Sequence, residues 1–195
     1  MYIAPGITNE KYKKLNLDNN NSPDWESAIE IFKLRISSRY LELVDLLIKC
    51  DENRSPIDRK YGFSILAIDC LLIETLQSFI EGLTNTKGKS SKMFINFLTQ
   101  RQSFKQHFNK EEAKKFYKEI RCGILHQAEI MGDNLLWSIG SLKGENLDGT
   151  PYINRTKFHN LIKKEIDLYC NELKNQDNLI LRKNFRKKMD FIARI

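Results

Sequence analysis

The sequence predicts an all-α protein, an antiparallel helical bundle with a small β-hairpin inserted near residues 134–153. Apolar residues recur at helical spacing through several long segments of the chain. Short polar or glycine-containing stretches separate these segments, as in bundles whose neighbouring helices run antiparallel. With 195 residues, of which 41% are hydrophobic, the chain can bury one core of ordinary size and is not expected to be an extended disordered chain.

Helix-start signals precede the first two predicted helices. Ser22 can cap a helix whose first turn holds Pro23, and an apolar helical stripe then continues to the polar break at Asp51. Ser55 and the proline after it repeat the signal, and the second helix ends at Gly82. Because apolar residues cover so much of its surface, we expect the second helix to be the central and most buried one.

The later segments predict further helices and one change of pattern. Asn109, followed three residues later by Glu112, forms a capping box that opens a helix expected to continue to Gly132. Short apolar runs and glycine-containing turns over 134–153 then predict the hairpin. A last core helix follows the hairpin, with apolar residues at helical spacing from Phe158 onward.

The predicted organisation is one domain with two flanking segments. Residues 1–21 are a polar lead-in, and residues 22–175 form the helical domain. Residues 176–195 form a basic amphipathic helix that we expect to pack on the same domain, leaving its charges in solvent or, alternatively, on RNA phosphates. The apolar residues near one face of this helix are Leu181, Phe185 and Ile192.

Composition favours a cytoplasmic protein with a polyanionic partner. Four cysteines are scattered singly, without a CxxC pair or a histidine at zinc-finger spacing, so reduced thiols are expected and a structural metal site is not. No segment is expected to span a membrane, because Asp69 interrupts the best apolar run. The formal net charge of +7 favours nucleic acid as a partner, although a Lys-rich, Asn-rich composition can also follow from genome base composition.

One segment, residues 116–127, carries the candidate chemistry. Arg121 and His126 lie five residues apart in a predicted helix. A histidine that titrates near neutral pH can serve as general acid or base, and the planar fork of an arginine can hold phosphoryl oxygens. These two residue types are sufficient for cleavage of RNA by its own 2′-hydroxyl, so no metal and no cofactor are expected.

Arg121 and His126, with four residues between them in a late helix of a bundle, resemble the Arg-x(4–6)-His motif of the HEPN superfamily. The resemblance covers this motif and the helical order of roughly residues 25–175. It implies a metal-independent endoribonuclease that acts as a homodimer on RNA, often a toxin or phage-defence effector, with an antitoxin or nucleotidyltransferase as a further partner. In many members a small polar residue such as Asn follows the arginine, whereas this sequence has Cys122.

Helix geometry bears on whether one chain can complete such a site. Two helical positions five residues apart diverge by roughly 140° around the helix axis. Either Gly123 marks a distortion between Arg121 and His126, or a second copy of the helix completes the site across a two-fold axis. Glu119 lies on the same face as His126 and could orient its imidazole, and Glu74 could contact the Arg121 guanidinium.

Other interpretations of these residues stay open. Glu74 can instead belong, with Asp69 and Gln77, to an exposed stripe of the central helix, which the pattern favours. Arg121 and His126 can be ordinary surface residues, and the chain is then a non-catalytic HEPN-like module that binds nucleotide, RNA or a partner protein, or a structural dimerisation domain. Two further histidines are expected to be structural or solvated: His107 and His159.

Overall fold

The computed structural model describes residues 1–194, and the chain is mainly helical, as predicted. The strands and helices in chain order are β1 (Tyr2–Ala4), β2 (Ile7–Thr8), α1 (Asn9–Lys13), α2 (Asp24–Ile36), α3 (Glu42–Glu52), α4 (Gly62–Ile80), α5 (Ser90–Gln100), α6 (Lys110–Lys115), α7 (Cys122–Gln127), β3 (Leu135–Trp137), β4 (Lys143–Glu145), β5 (Pro151–Asn154), α8 (Arg155–Lys174) and α9 (Leu179–Ala193). Two π-helical turns, Ser37–Leu41 and Phe116–Arg121, join consecutive α-helices, and a 3₁₀ turn spans Pro56–Asp58.

The chain divides into two compact units. The first consists of Met1–Leu43, Thr75–Lys87 and Ile166–Ile195, and the second consists of Val44–Glu74 and Gly88–Glu165. Helices α4 and α8 each contribute residues to both units. The segment with Arg121 and His126 belongs to the second unit, as does the whole sheet of β3, β4 and β5.

Aromatic side chains form the core of the first unit. The Phe32 ring packs edge-on against Phe79, with centroids 4.7 Å apart, and also contacts Tyr169 and Phe185. All four side chains are buried. These residues come from α2, α4, α8 and α9, so the aromatic cluster fixes the four helices of this unit to one another.

The polar lead-in forms short regular elements in the first unit. Strand β1 pairs antiparallel with β2, and α1 follows directly. Ile3, Tyr12 and Leu17 are buried, and Arg35 Nη1 donates to the carbonyl of Ile3 at 2.6 Å. No pattern in the sequence predicts these elements, because strands of two or three residues and a five-residue helix are shorter than any periodicity.

Several basic side chains of helix α9 bind partners within the first unit. Its buried face carries Arg182, Phe185, Met189 and Ala193, whereas the predicted Leu181 and Ile192 are only half-buried. The Arg182 guanidinium lies 4.4 Å from the ring centroid of Trp25, and its Nε donates to the carbonyl of Leu173 at 2.8 Å. Two other cations of the helix also have internal partners: Arg186 pairs with Asp18, and Lys188 donates to the carbonyl of Leu83. The expectation that all these charges are solvated is therefore wrong.

The predicted hairpin exists, but it belongs to a three-stranded sheet in the second unit. The strand order is β3-β5-β4, with β4 antiparallel and β3 parallel to the central strand β5. The hairpin is thus β4–β5, and the apolar run Leu135–Trp137, which the sequence suggests as a hairpin arm, joins as a parallel edge. Strand β4 has no apolar pattern because its residues are half-buried or exposed.

The interpretation of polar residues in α4 as an exposed stripe is wrong for two of its members. Asp69 is completely buried and Gln77 is 4% exposed. In the second unit, Asp69 Oδ1 lies 2.7 Å from Nδ1 of His159 on α8, and this histidine is itself completely buried. Gln77, in the first unit, donates to Glu81 at 2.7 Å. A carboxylate on an apolar helix can be buried because it has such a partner, and the pattern of a single segment does not show the partner.

Helix α4 is long and apolar enough to cross a membrane, judged by length and composition alone. More than half of its apolar window is buried inside the protein. We therefore interpret α4 as a core helix. Its buried Asp69 pairs with the buried His159.

The buried carboxyl of Asp69 should make the stability of the protein depend on pH. Burial raises its pKa from 3.8 to about 6, although the hydrogen bond and charge of His159 act in the opposite direction. A carboxyl whose pKa is higher in the folded than in the unfolded chain stabilises the fold below the unfolded pKa, and this contribution is lost as the pH rises through the folded pKa. The difference in unfolding free energy between wild type and Asp69→Asn should therefore fall by on the order of 2 kcal/mol from about pH 4 to pH 6.

Chemical denaturation at closely spaced pH values measures this difference. Asp45→Asn is the matched control, because it removes an exposed carboxylate whose Oδ1 lies 3.6 Å from His159 Nε2. A difference that stays flat across this window for Asp69→Asn, or falls equally for Asp45→Asn, would contradict the assignment.

Candidate functional site

The candidate site begins with the capping box predicted at Asn109. Its side chain accepts from the backbone N–H of Glu112 at 2.9 Å, and the Glu112 carboxylate accepts from the backbone N–H of Asn109 at 2.8 Å. Helix α6 then leads through the π-helical turn Phe116–Arg121 into α7. The helix ends at Gln127, and the next residue, Ala128, adopts a left-handed conformation. The predicted limit is Gly132. That prediction is wrong because the chain folds back on α7 instead of continuing it.

Gly123 allows this close return of the chain. A Cβ atom at this position would lie 2.4 Å from the carbonyl oxygen of Glu129 and 3.0 Å from the backbone nitrogen of Met131. The backbone N–H of Met131 donates to the carbonyl of Glu119 at 2.8 Å, which holds the returning segment against the helix. Gly123 is therefore required for packing, and the π-helical distortion covers Phe116–Arg121 and ends before Gly123.

Arg121 is held by a residue of α4. Its Nε and Nη2 atoms donate to Oε1 of Glu74 at 2.7 and 2.6 Å, so the contact between these two side chains, which the sequence pattern favours less than an exposed stripe, is formed. The guanidinium carbon also lies 5.3 Å from the ring centroid of Tyr117, one turn earlier. The side chains of Arg121 and Glu74 are 14% and 17% exposed. The arginine is thus fixed at the protein surface and does not move freely in solvent.

The surroundings of Arg121 keep it positively charged. Burial acts to lower the pKa of its guanidinium, but the hydrogen bond and charge of Glu74 outweigh this effect, and the pKa lies above its ordinary value. Burial also raises the pKa of Tyr117. Cys70 stays a thiol because complete burial raises its pKa well above the usual range. Arg121 therefore keeps its positive charge, between a neutral tyrosine and one carboxylate.

His126 lies on the exposed side of α7. Within residues 1–194, its imidazole makes no hydrogen bond and no ion pair. Glu119 does not orient it, because the Glu119 carboxylate accepts from Asn134 Nδ2 at 2.7 Å and lies 3.8 Å from Lys115 Nζ. The structure thus brings together Arg121 and Glu74, but it does not bring His126 or Glu119 into contact with them. The imidazole is accessible to a ligand or to a second protein molecule.

One feature of the site escaped the sequence interpretation. Tyr117 stacks on Arg121 from four residues earlier, a spacing that places both on one side of a helix and could have indicated the pair. Leu125 and Met131 are each 46% exposed beside the motif, whereas Ile124, which also flanks it, is buried. Exposed apolar side chains next to an accessible imidazole form a surface on which another protein chain can pack.

Across residues 1–194, no group of three or more His, Cys, Asp or Glu side chains is arranged to hold a metal ion. All four cysteines are free thiols. Comparisons of the chain with protein-family models, with curated proteins and with solved structures each found no match.

The Glu74–Arg121 pair should stabilise the protein by more than a surface ion pair does. Its hydrogen bonds involve two charged groups that are largely shielded from water, a case worth about 1–3 kcal/mol. A double-mutant cycle with Glu74→Gln and Arg121→Gln, measured by chemical denaturation, should give a coupling energy in that range. The same cycle on the exposed Glu111–Lys114 pair should give no more than about 0.5 kcal/mol. Equal coupling energies for the two pairs would show that Glu74 does not anchor Arg121.

Proposed function

We propose that this protein is a metal-independent endoribonuclease that acts as a homodimer in the cytoplasm, with His126 as general acid or base and Arg121 as the phosphate clamp. One observation carries the proposal: Arg121 is fixed and charged at the start of the same short helix on which His126 presents an unpaired imidazole. The resemblance of these two residues to the HEPN motif supports it further. On this hypothesis the partners are RNA and an antitoxin or nucleotidyltransferase.

The chemistry divides between the two side chains. The imidazole of His126 removes the proton of a ribose 2′-hydroxyl or protonates the leaving 5′-oxygen, since histidine exchanges protons near neutral pH. Arg121 stabilises the charge that develops on the phosphorane oxygens through the N–H groups that Glu74 does not occupy. The products of this reaction are a 2′,3′-cyclic phosphate and a 5′-hydroxyl. Glu74 acts as a positioning residue in this scheme, because it orients the guanidinium without reaching the substrate.

Two copies of the chain complete the proposed site. Helix α7 is regular from Cys122 to Gln127, so the roughly 140° between positions 121 and 126 is not removed by a distortion. A two-fold axis near α7 would bring His126 of one protomer toward Arg121 of the other. The exposed Leu125 and Met131 supply apolar area for such a contact.

Purified protein should cleave a broad RNA pool in the presence of excess EDTA and lose this activity when His126 is replaced by Ala. General acid or base catalysis contributes about 10²- to 10⁴-fold, so the loss should be large. His107→Ala is the matched control, because His107 is half-buried and, among the described residues 1–194, its imidazole hydrogen-bonds to the side chain of the neighbouring Gln106 at 3.1 Å. The readout is the release of 2′,3′-cyclic phosphate ends, with thermal unfolding to verify the fold. Equal cleavage by wild type and His126→Ala would remove His126 from the mechanism.

Mixing two inactive variants should restore activity if the site is shared between protomers. A mixed dimer of Arg121→Ala and His126→Ala contains one complete pair of wild-type residues, so random subunit exchange should recover about a quarter of the wild-type sites. Sedimentation at micromolar concentration measures whether dimers are present. A monomer in sedimentation, or mixtures as inactive as their components, would contradict the shared site.

A second candidate function is RNA binding without cleavage. The observation that favours it is that His126 has no contact with the Arg121–Glu74 pair within one chain, so a single copy lacks a joined acid–base and clamp pair. Arg121→Lys separates the two functions, because it keeps the charge and loses the fork. A clamp acting in the transition state should lose more turnover than RNA affinity, whereas a binding module has no turnover to lose.

A further inference from the structure

A cavity of about 530 Å³ lies in the second unit, away from the residues of the candidate site. It is lined by the 3₁₀ turn before α4, the first residues of α4, strand β3 and the first residue of α8. The volume is in the range of pockets that hold small organic ligands. None of its lining residues belongs to the Arg121–His126 segment, so an occupant of the cavity would not depend on RNA cleavage.

The charged side chains that line this cavity are all cationic: Arg59, Lys60 and Arg155. Arg59 Nη1 donates to Ser138 Oγ at 2.7 Å, and Arg155 Nη2 donates to Asp51 Oδ2 at 2.8 Å. Each guanidinium has one further buried nitrogen that no acceptor satisfies, Nε of Arg59 and Nη1 of Arg155. A buried donor without an acceptor is unfavourable, and an anion held here would supply acceptors for both.

The positive charge of the cavity lining also favours binding of an anion. Arg155 is 2% exposed, and burial lowers the pKa of its guanidinium. Asp51 acts in the opposite direction, but the charge of Arg59 lowers the pKa further. Asp51 pairs with Arg155, whereas, among residues 1–194, the cavity lining contains no carboxylate that could pair with Arg59. An anion in the cavity would balance the positive charge of its lining.

The remaining wall of the cavity is apolar and aromatic. Trp137 and Phe63 both line it, and Phe63 is 37% exposed. Ile57, on the 3₁₀ turn, is 92% exposed. Flat aromatic faces beside a cationic end can stack with a ring that carries an acidic group.

We propose that this cavity binds a nucleoside monophosphate, with the phosphate on Arg59 and Arg155 and the base against Trp137 and Phe63. Guanidinium forks match the geometry of phosphate oxygens, and the aromatic wall distinguishes a nucleotide from inorganic phosphate, which would leave that wall empty. A free nucleotide and the 5′-phosphorylated end of an RNA strand present the same chemistry.

Isothermal titration of the full chain tests the site with three probes: adenosine 5′-monophosphate, adenosine and inorganic phosphate. The nucleotide should bind at least about tenfold more tightly than either fragment, because adenosine lacks the guanidinium contacts and inorganic phosphate lacks the stacking. Absence of nucleotide binding at millimolar concentration would overturn the proposal, and so would inorganic phosphate that binds as tightly as the nucleotide.

Variants locate the bound nucleotide. Arg59→Gln and Trp137→Ala should each weaken binding by about tenfold, whereas Trp137→Phe, which keeps an aromatic face, should weaken it less. Arg54→Gln is the matched control, because it makes the same charge change at an exposed residue outside the cavity lining. Thermal unfolding verifies that each variant is folded. Unchanged affinity in Arg59→Gln, or equal losses in Arg59→Gln and Arg54→Gln, would overturn the assignment.

An RNA tetranucleotide with a 5′-phosphate, compared with the same strand ending in a 5′-hydroxyl, distinguishes the two sources of the ligand. Preference for the phosphorylated strand supports binding of an RNA end, and binding of the free nucleotide alone supports a small-molecule ligand. The His126→Ala variant should bind the nucleotide as wild type does. This result separates the cavity from the proposed ribonuclease site, since either can fail without the other.

Discussion

The second unit depends on the pairing of buried charges, and helix α8 supplies one member of every pair. Three carboxylates in this unit are completely buried, and the pairs they form are Asp51–Arg155, Asp69–His159 and Glu165–Arg101. A buried carboxylate without a partner would destabilise the protein by several kcal/mol, so each pair permits one rotation and one register of α8 in this unit. The helix thus fixes α3, the first turns of α4 and the segment after α5, and it begins at the cationic end of the cavity.

The buried pairs also show why some parts of the fold can be predicted from the sequence and others cannot. Helices with apolar periodicity and local caps are predictable because their signals lie within a few residues, as at Asn109 and Glu112. The burial of Asp69 is not predictable in this way, because its partner His159 is 90 residues distant in sequence. A carboxylate in an apolar helix looks like an exposed position unless its partner is known. The parallel pairing of β3 with β5 is hidden for the same reason, since strand order depends on tertiary contacts.

In the candidate site too, residues that are close in sequence are predictable, whereas contacts between distant segments are not. Arg121 and His126 are recognisable together because they are close in sequence. The contact with Glu74 was one of two open interpretations, and only the packing of α4 decides between them. The short course of α7 was not predictable, because it depends on the backbone of Glu129 and Met131 crossing Gly123 where no Cβ atom fits. A glycine in a helix indicates either a distortion or a close approach, and the pattern cannot distinguish the two.

Net charge is a poor guide to where this protein can hold an anion. The chain carries a formal charge of +7, but Arg182, Arg186 and Lys188 of the basic C-terminal helix have internal partners. What matters is whether a cation has donors that no protein acceptor satisfies. Arg59 and Arg155 have such donors beside an aromatic wall, which suits binding of a ground-state phosphate.

Arg121 differs from these two arginines, because Glu74 already occupies two of its nitrogen atoms. An entering phosphate must share the guanidinium with that carboxylate, which weakens binding of the substrate in its ground state. A phosphorane carries more negative charge than the substrate phosphate, so it competes better with Glu74 for the guanidinium. The interaction of Arg121 with the reacting group therefore becomes stronger as the reaction proceeds. An interaction that is weak toward substrate and stronger toward the transition state accelerates a reaction, and uniform tight binding does not. The carboxylate that makes Arg121 a poor phosphate-binding residue is therefore compatible with the catalytic role proposed for it.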